Sequence, residues 1–64
     1  MRVNGSETSL DVACTLKSYI EREGYDINRI AVEKNGEIIR KALYETVILN
    51  NSDHLEIVMF VGGG

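Results

Sequence analysis

The sequence predicts an α+β domain: a mixed sheet of four to five strands with one helix packed across one face, in the order ββαβββ. Three observations predict it. Two Asn-Gly pairs, Asn4-Gly5 and Asn35-Gly36, lie between short strand-like segments. Both residues of such a pair tolerate positive φ, which makes Asn-Gly the strongest short hairpin signal. A segment from Val12 to Glu23 repeats its apolar residues at helical spacing, and a segment from His54 to Val61 alternates at strand spacing.

Taken in order, Met1 to Val3 reads as a short strand, Asn4-Gly5 as a turn and Glu7 to Leu10 as the returning strand. Val12, Leu16, Tyr19 and Ile20 fall at i, i+4, i+7 and i+8 and form one apolar stripe, with Lys17, Ser18, Glu21 and Arg22 opposite. Asp11 is the expected N-cap of this helix and Gly24 its C′ residue. Ile30 to Lys34 and Glu37 to Ile39 flank the second turn, with Ile30 and Val32 on one face and Ala31 and Glu33 on the other. Lys41 to Glu45 reads as a loop or a 3₁₀ turn, Thr46 to Leu49 as a short strand, and Asn50 to Asp53 as a polar turn. Pairing the first and last strands as central neighbours would bury the most apolar chain.

With 64 residues there is room for one domain, expected over residues 1–61, with 62–64 as a glycine tail. Domains of this size bury roughly 60% of their unfolded surface. The 44% apolar and 27% charged composition is that of an ordinary soluble domain. Trp and Pro are absent and aromatics few, so the core must be mostly aliphatic. A single cysteine forms no internal disulfide, Met1-Arg2-Val3 begins no signal peptide, and no apolar run approaches the ~20 residues of a membrane span. A cytoplasmic protein without a membrane partner is expected. The net charge of −3, with scattered Lys and Arg, argues against a nucleic-acid partner, which needs a concentrated basic face. A catalytic cleft usually takes about 300–1,000 Å³, which so small a domain has little room to build. A carrier, a binding module or a subunit fits better than an enzyme.

The last strand and the glycines after it carry the functional signal. Leu55, Ile57, Met59 and Val61 share one face, expected to be core, while Glu56, Val58 and Phe60 share the other. Glu56 needs water, which places Val58 and Phe60 on the solvent side as a small apolar patch of the kind that marks protein contacts. Gly62-Gly63-Gly64 then runs to a terminal α-carboxylate. Residues without side chains pass through a channel too narrow for others, and Val61 to Gly64 spans roughly 13 Å when extended. The expected device is a tail threaded into a partner, through Gly62 and Gly63, that delivers the Gly64 carboxylate. Val58 and Phe60 would hold the globular body in place.

These residues bear a family likeness. Val3-Asn4-Gly5, the stretch Ile30-Ala-Val-Glu-Lys-Asn-Gly-Glu-Ile-Ile39 and the ending Asp53-His-Leu-Glu-Ile-Val-Met-Phe-Val-Gly-Gly-Gly64 resemble the ThiS family, ubiquitin-like sulfur carriers of thiamin thiazole biosynthesis. The ending looks more like ThiS than like the related molybdopterin-synthase small subunit. The resemblance implies a β-grasp fold. It also implies that a ThiF-like adenylyltransferase uses ATP and magnesium to turn the Gly64 carboxylate into an acyl-adenylate. Sulfur from a cysteine-desulfurase persulfide then replaces AMP to leave a thiocarboxylate, which a ThiG-like thiazole synthase takes into the thiazole ring. The chain itself is then not an enzyme, binds no cofactor or metal, and is a monomer on its own.

Other candidates are weaker. Cys14 belongs to no motif and reads as a small buried hydrophobe rather than a reactive thiol. His54 has no second ligand at metal spacing and reads as a surface turn residue, Asp53 as a turn residue and Glu56 as a strand-surface charge. Lys34, Arg40 and Lys41 read as solvated charges. The alternatives are a carrier for molybdopterin or another sulfur pathway, a ubiquitin-like modifier conjugated through Gly64, and an interaction domain with an inert tail.

Overall fold

A computed structural model describes residues 1–60 of the chain. Strands β1 (Arg2–Val3) and β2 (Ser6–Glu7) form the first hairpin, with Arg2 opposite Glu7 and Val3 opposite Ser6. The second joins β4 (Ile30–Lys34) to β5 (Glu37–Ile39). In both turns Asn and Gly take positive φ: 50° and 83° at Asn4 and Gly5, 52° and 86° at Asn35 and Gly36. That is the backbone a tight hairpin requires and that Asn-Gly adopts most readily. The last strand, β7 (His54–Met59), lies between the hairpins, parallel to β1 and antiparallel to β4. The result is a five-stranded mixed sheet in the order β2-β1-β7-β4-β5, with the first and last strands adjacent as expected.

The returning strand is shorter than Glu7 to Leu10. β2 ends at Glu7, Thr8 still exchanges two 2.8 Å main-chain bonds with Met1, and Leu10 then enters the core instead. There Asn51 clasps its main chain: Leu10 N–H donates to Asn51 Oδ1 at 2.9 Å, and Asn51 Nδ2 donates to Leu10 C=O at 3.1 Å.

Helix α1 (Leu16–Arg22) begins later than the apolar spacing predicts. Thr15, not Asp11, is its N-cap, its Oγ1 accepting from Ser18 N–H at 3.0 Å. Val12 is 73% exposed and lies outside the stripe. The reason is tertiary. Cys14–Thr15 is held extended as β3, pairing antiparallel with β6 (Ile48–Leu49) in a separate two-stranded sheet. The first free helical N–H groups donate outside the helix, Leu16 to Val47 C=O and Lys17 to Tyr44 C=O, both at 2.8 Å. The helix end agrees with expectation. Gly24 takes φ +80°, its N–H donates to Glu21 C=O, and Tyr25 N–H donates to Ile20 C=O, the two bonds of a Schellman cap.

Leu16, Tyr19 and Ile20 of α1 pack on Ile30, Val32, Leu55 and Ile57 of the sheet, with Leu49 and Tyr44 closing the side. The segment expected as a loop or 3₁₀ turn holds a 3₁₀ helix at Lys41–Leu43. A second, at Ile27–Arg29, leads into β4.

The core face of β7 ends sooner than the alternation predicts. Leu55 and Ile57 are buried, but Met59 is 63% exposed. Met59 lies on the helix side, opposite Ile30, yet on β7 the core packing stops at Ile57 and none of the described residues buries it. Val61, also expected in this core face, lies outside the described residues, as do Gly62, Gly63 and Gly64 and the boundary drawn between 61 and 62.

Candidate functional site

The pleat of β7 sends His54, Glu56 and Val58 to the open face of the sheet, and Phe60 continues that parity. Phe60 stays in the ladder although β7 ends before it: its N–H donates to Arg29 C=O at 2.7 Å. Val58 is 54% and Phe60 57% exposed, on the face the sequence assigns them. Ala31 stands opposite Val58 in register, so the tail-proximal end of this face is apolar.

The other end of the same face is acidic. Glu33 stands directly opposite Glu56, and neither forms an ion pair among the described residues. Like charges in that position destabilise a sheet. They line an open depression of about 460 Å³ with Asn35, Gly36, Ser52 and His54. Among the described residues no three His, Cys, Asp or Glu side chains are grouped to hold a metal ion. The depression is a polar surface feature rather than an apolar ligand pocket.

Behind this acidic end lies a residue whose role the sequence conceals. Asp53 closes the polar turn as expected, its N–H donating to Asn50 C=O at 3.0 Å, but its side chain is buried. Its Oδ2 accepts from Asn50 N–H at 2.9 Å, its Oδ1 accepts from Asn35 Nδ2 at 3.0 Å, and Lys34 Nζ stands 3.6 Å away. Burial alone would push its carboxyl up. The hydrogen bonds from Asn50 and Asn35 and the charge of Lys34 outweigh that and hold it below the ordinary carboxylate value. Asn35 Oδ1 also accepts from His54 N–H at 2.9 Å, so one amide ties the hairpin turn to the start of β7. The run Asn50-Asn-Ser-Asp signals a turn in which Asp bonds a nearby N–H. No local pattern announces that Asn35 meets it.

Asn4 likewise does more than the turn its sequence context signals. Its Oδ1 accepts from Ile57 N–H at 2.7 Å and its Nδ2 donates to Ile57 C=O at 3.2 Å. The side chain thus stands where another strand residue would pair with β7. The remaining candidates lie apart from Val58 and Phe60. Cys14 is half-buried against the core, close to the role expected of it. His54 is exposed, at the start of β7 rather than in a turn.

With that geometry in place, likeness to known proteins is informative. The sequence pattern of the ThiS family matches residues 1–64, the whole chain. The chain belongs to the ThiS family. Its fold is the ubiquitin-like β-grasp: the crystal structure of the thiamine biosynthesis protein ThiS from Geobacter metallireducens superposes with a TM-score of 0.83 at 23% identity, covering 98% of this chain and 96% of that one. A thiazole synthase of Paramagnetospirillum magneticum is 40% identical over 62 residues, 97% of this chain but 19% of that protein. A thiazole synthase of Magnetococcus marinus is 30% identical over 64 residues, 100% of this chain and 20% of that protein. The ThiS-family chain therefore spans about a fifth of the length of these relatives. No helix among the described residues is long and apolar enough to cross a membrane.

Proposed function

We propose that this ThiS-family chain carries sulfur as a thiocarboxylate on Gly64 and donates it for thiazole ring formation. The observation that carries the reading is the apolar end of the open sheet face, Val58 and Phe60, lying immediately before Val61-Gly62-Gly63-Gly64. A docking face and a reactive end are thus only a few residues apart.

The chemistry explains why such a carrier needs partners. A carboxylate is a poor electrophile, because its charge repels nucleophiles and oxide is a bad leaving group. In the proposed first step a carboxylate oxygen of Gly64 attacks the α-phosphorus of ATP in a ThiF-like adenylyltransferase, and pyrophosphate leaves. The outer sulfur of a cysteine-desulfurase persulfide then attacks the acyl carbon and AMP leaves, giving an acyl disulfide. A thiol reductant attacks the donor's sulfur, the S–S bond breaks, and the thiocarboxylate departs as a disulfide forms between donor and thiol. A ThiG-like thiazole synthase is the acceptor, a reading supported by thiazole synthases that contain a segment similar to this chain. ATP and magnesium belong to the adenylating partner. The chain supplies the body that docks, through Val58 and Phe60, and the roughly 13 Å of extended tail that reaches inside.

Intact-mass measurement of the full chain incubated with adenylyltransferase, desulfurase, cysteine, a thiol reductant and ATP tests this. The expected product is heavier by the difference between sulfur and oxygen, and it is absent when Gly63 and Gly64 are deleted. Isopeptide-linked ladders on other proteins would instead make the chain a modifier. A mass that never changes, with every activity indifferent to the deletion, would make the tail inert.

A further inference from the structure

The direction of hydrogen bonding along β7 leaves one stretch of main chain unmatched. Residues 54 to 60 of even number bond toward β4: His54 C=O accepts from Asn35 N–H at 2.8 Å, and Phe60 N–H donates to Arg29 C=O at 2.7 Å. Odd-numbered residues bond toward β1. Leu55 C=O accepts from Asn4 N–H at 2.9 Å, and the Asn4 amide takes both main-chain groups of Ile57. Met59 comes next. It stands opposite Ile30, one residue from the bonded pair Arg29 and Phe60, so its N–H and C=O point away from β4. They point into the lane that β1 vacates when its hairpin turns back at Asn4-Gly5. Among the described residues no group bonds either of them. Met59 is 63% exposed, so the lane is open to solvent.

We propose that this lane beside Met59 receives an extended segment of the protein that takes up the glycine tail, adding a short strand to the sheet at the end of β7. The inference rests on the reading that a partner engages Gly64. Four residues come after Phe60, and extended they reach roughly 13 Å. A partner holding the Gly64 carboxylate must therefore lie against the last residues of β7, where Met59 presents one donor and one acceptor at strand spacing. A partner strand satisfies both, and strand addition to an open edge is a recurring mode of recognition. Side chains favour the same occupant. Phe60 and Val58 are exposed on one face beside the lane and Met59 on the other, so an added strand gains apolar contact above and below. A second copy of this chain is a poorer occupant. The Asn4 amide stops the open edge at Ile57, and short edges resist sheet-to-sheet association.

A chain of 64 residues can be made by chemical synthesis, which permits a direct test. N-methylation of Met59 removes a donor the fold does not use and places a methyl group in the lane. The expected result is an unchanged melting temperature with half-saturation for adenylation, by a ThiF-type enzyme and ATP, raised about tenfold or more. N-methylation of Val58, whose N–H faces β4, should lower the melting temperature instead. The Met59 amide should exchange rapidly in the free chain and slowly in the complex. Adenylation indifferent to the Met59 methyl group overturns this inference alone. Slow exchange of the Met59 amide in a free-chain dimer overturns it in favour of self-pairing. Failure of the unmodified chain to be adenylated overturns the functional reading and this one with it.

Discussion

The two ends of β7 are built differently. At its start, Asp53 and His54 are fastened by Asn35, Asn50 and Lys34, and Arg2 N–H donates to Asp53 C=O at 3.0 Å. At its finish, β7 keeps the β4 ladder through Phe60 and the Asn4 clasp at Ile57, and then presents Val58, Met59 and Phe60 to solvent. One end has its polar groups satisfied internally; the other holds apolar surface and main-chain groups in reserve. A carrier of the kind proposed would need to present its reactive end in a constant direction while leaving that end free to be grasped. Fixing the strand at the far end does the first without interfering with the second.

The comparison breaks most severely if Asp53 is lost. Asp53→Ala leaves Asn50 N–H, the Asn35 amide and Lys34 without their common acceptor, and should cost about 2–4 kcal/mol in denaturant unfolding. The same carboxylate makes acid stability diagnostic. Its pKa in the fold lies below the ordinary 3.8, so its contribution is complete above that value and is lost as pH falls through the folded value. The wild-type stability curve should drop in that window, and the difference from Asp53→Ala should shrink. An equal gap at neutral and strongly acid pH would mean that the Asp53 charge is not what fastens this end.

Asn4 tests the middle of the strand. Asn4→Ala removes both bonds to Ile57 and puts alanine at a φ of 50°, and a loss of about 1–3 kcal/mol is expected. Asn4→Gly relieves the backbone strain but not the lost clasp, so it should recover only part of that stability. Amide exchange at Ile57 should quicken in both variants. Full recovery in Asn4→Gly would reduce Asn4 to a turn residue.

These two residues also mark where the sequence stops being legible. The legible features are local or periodic. The Asn-Gly turns carry their own backbone preference, the Gly24 cap comes from one positive φ, and the β7 alternation separates Leu55 and Ile57 from Val58 and Phe60. The illegible ones are set by distant chain. The helix starts at Leu16 because β6 and the 44–47 segment hold residues 14–17, an arrangement invisible in the spacing of Val12 and Leu16. Met59 obeys the alternation yet is exposed, because on β7 the core ends at Ile57. Asp53 and Asn4 sit in polar turns whose composition signals a turn and nothing more. Their second roles depend on residues 18 and 53 positions away in the chain. Gly64, the centre of the proposed function, lies outside the described residues, and its part in the reading rests on the sequence alone.

The smallest effect on the fold is expected where the effect on function is largest. Phe60→Asp replaces a ring that is 57% exposed, so unfolding free energy should change by no more than about 0.5 kcal/mol and circular dichroism should be unaltered. Its main-chain bond to Arg29 does not involve the side chain and survives the substitution. Association with the adenylyltransferase should nevertheless weaken about tenfold or more, since a charge would enter the apolar centre of the docking face. A collapsed fold would place Phe60 in the core and reverse the face assignment of β7. Undiminished association would move the docking surface off Phe60, leaving the tail and the Met59 lane to hold the partner.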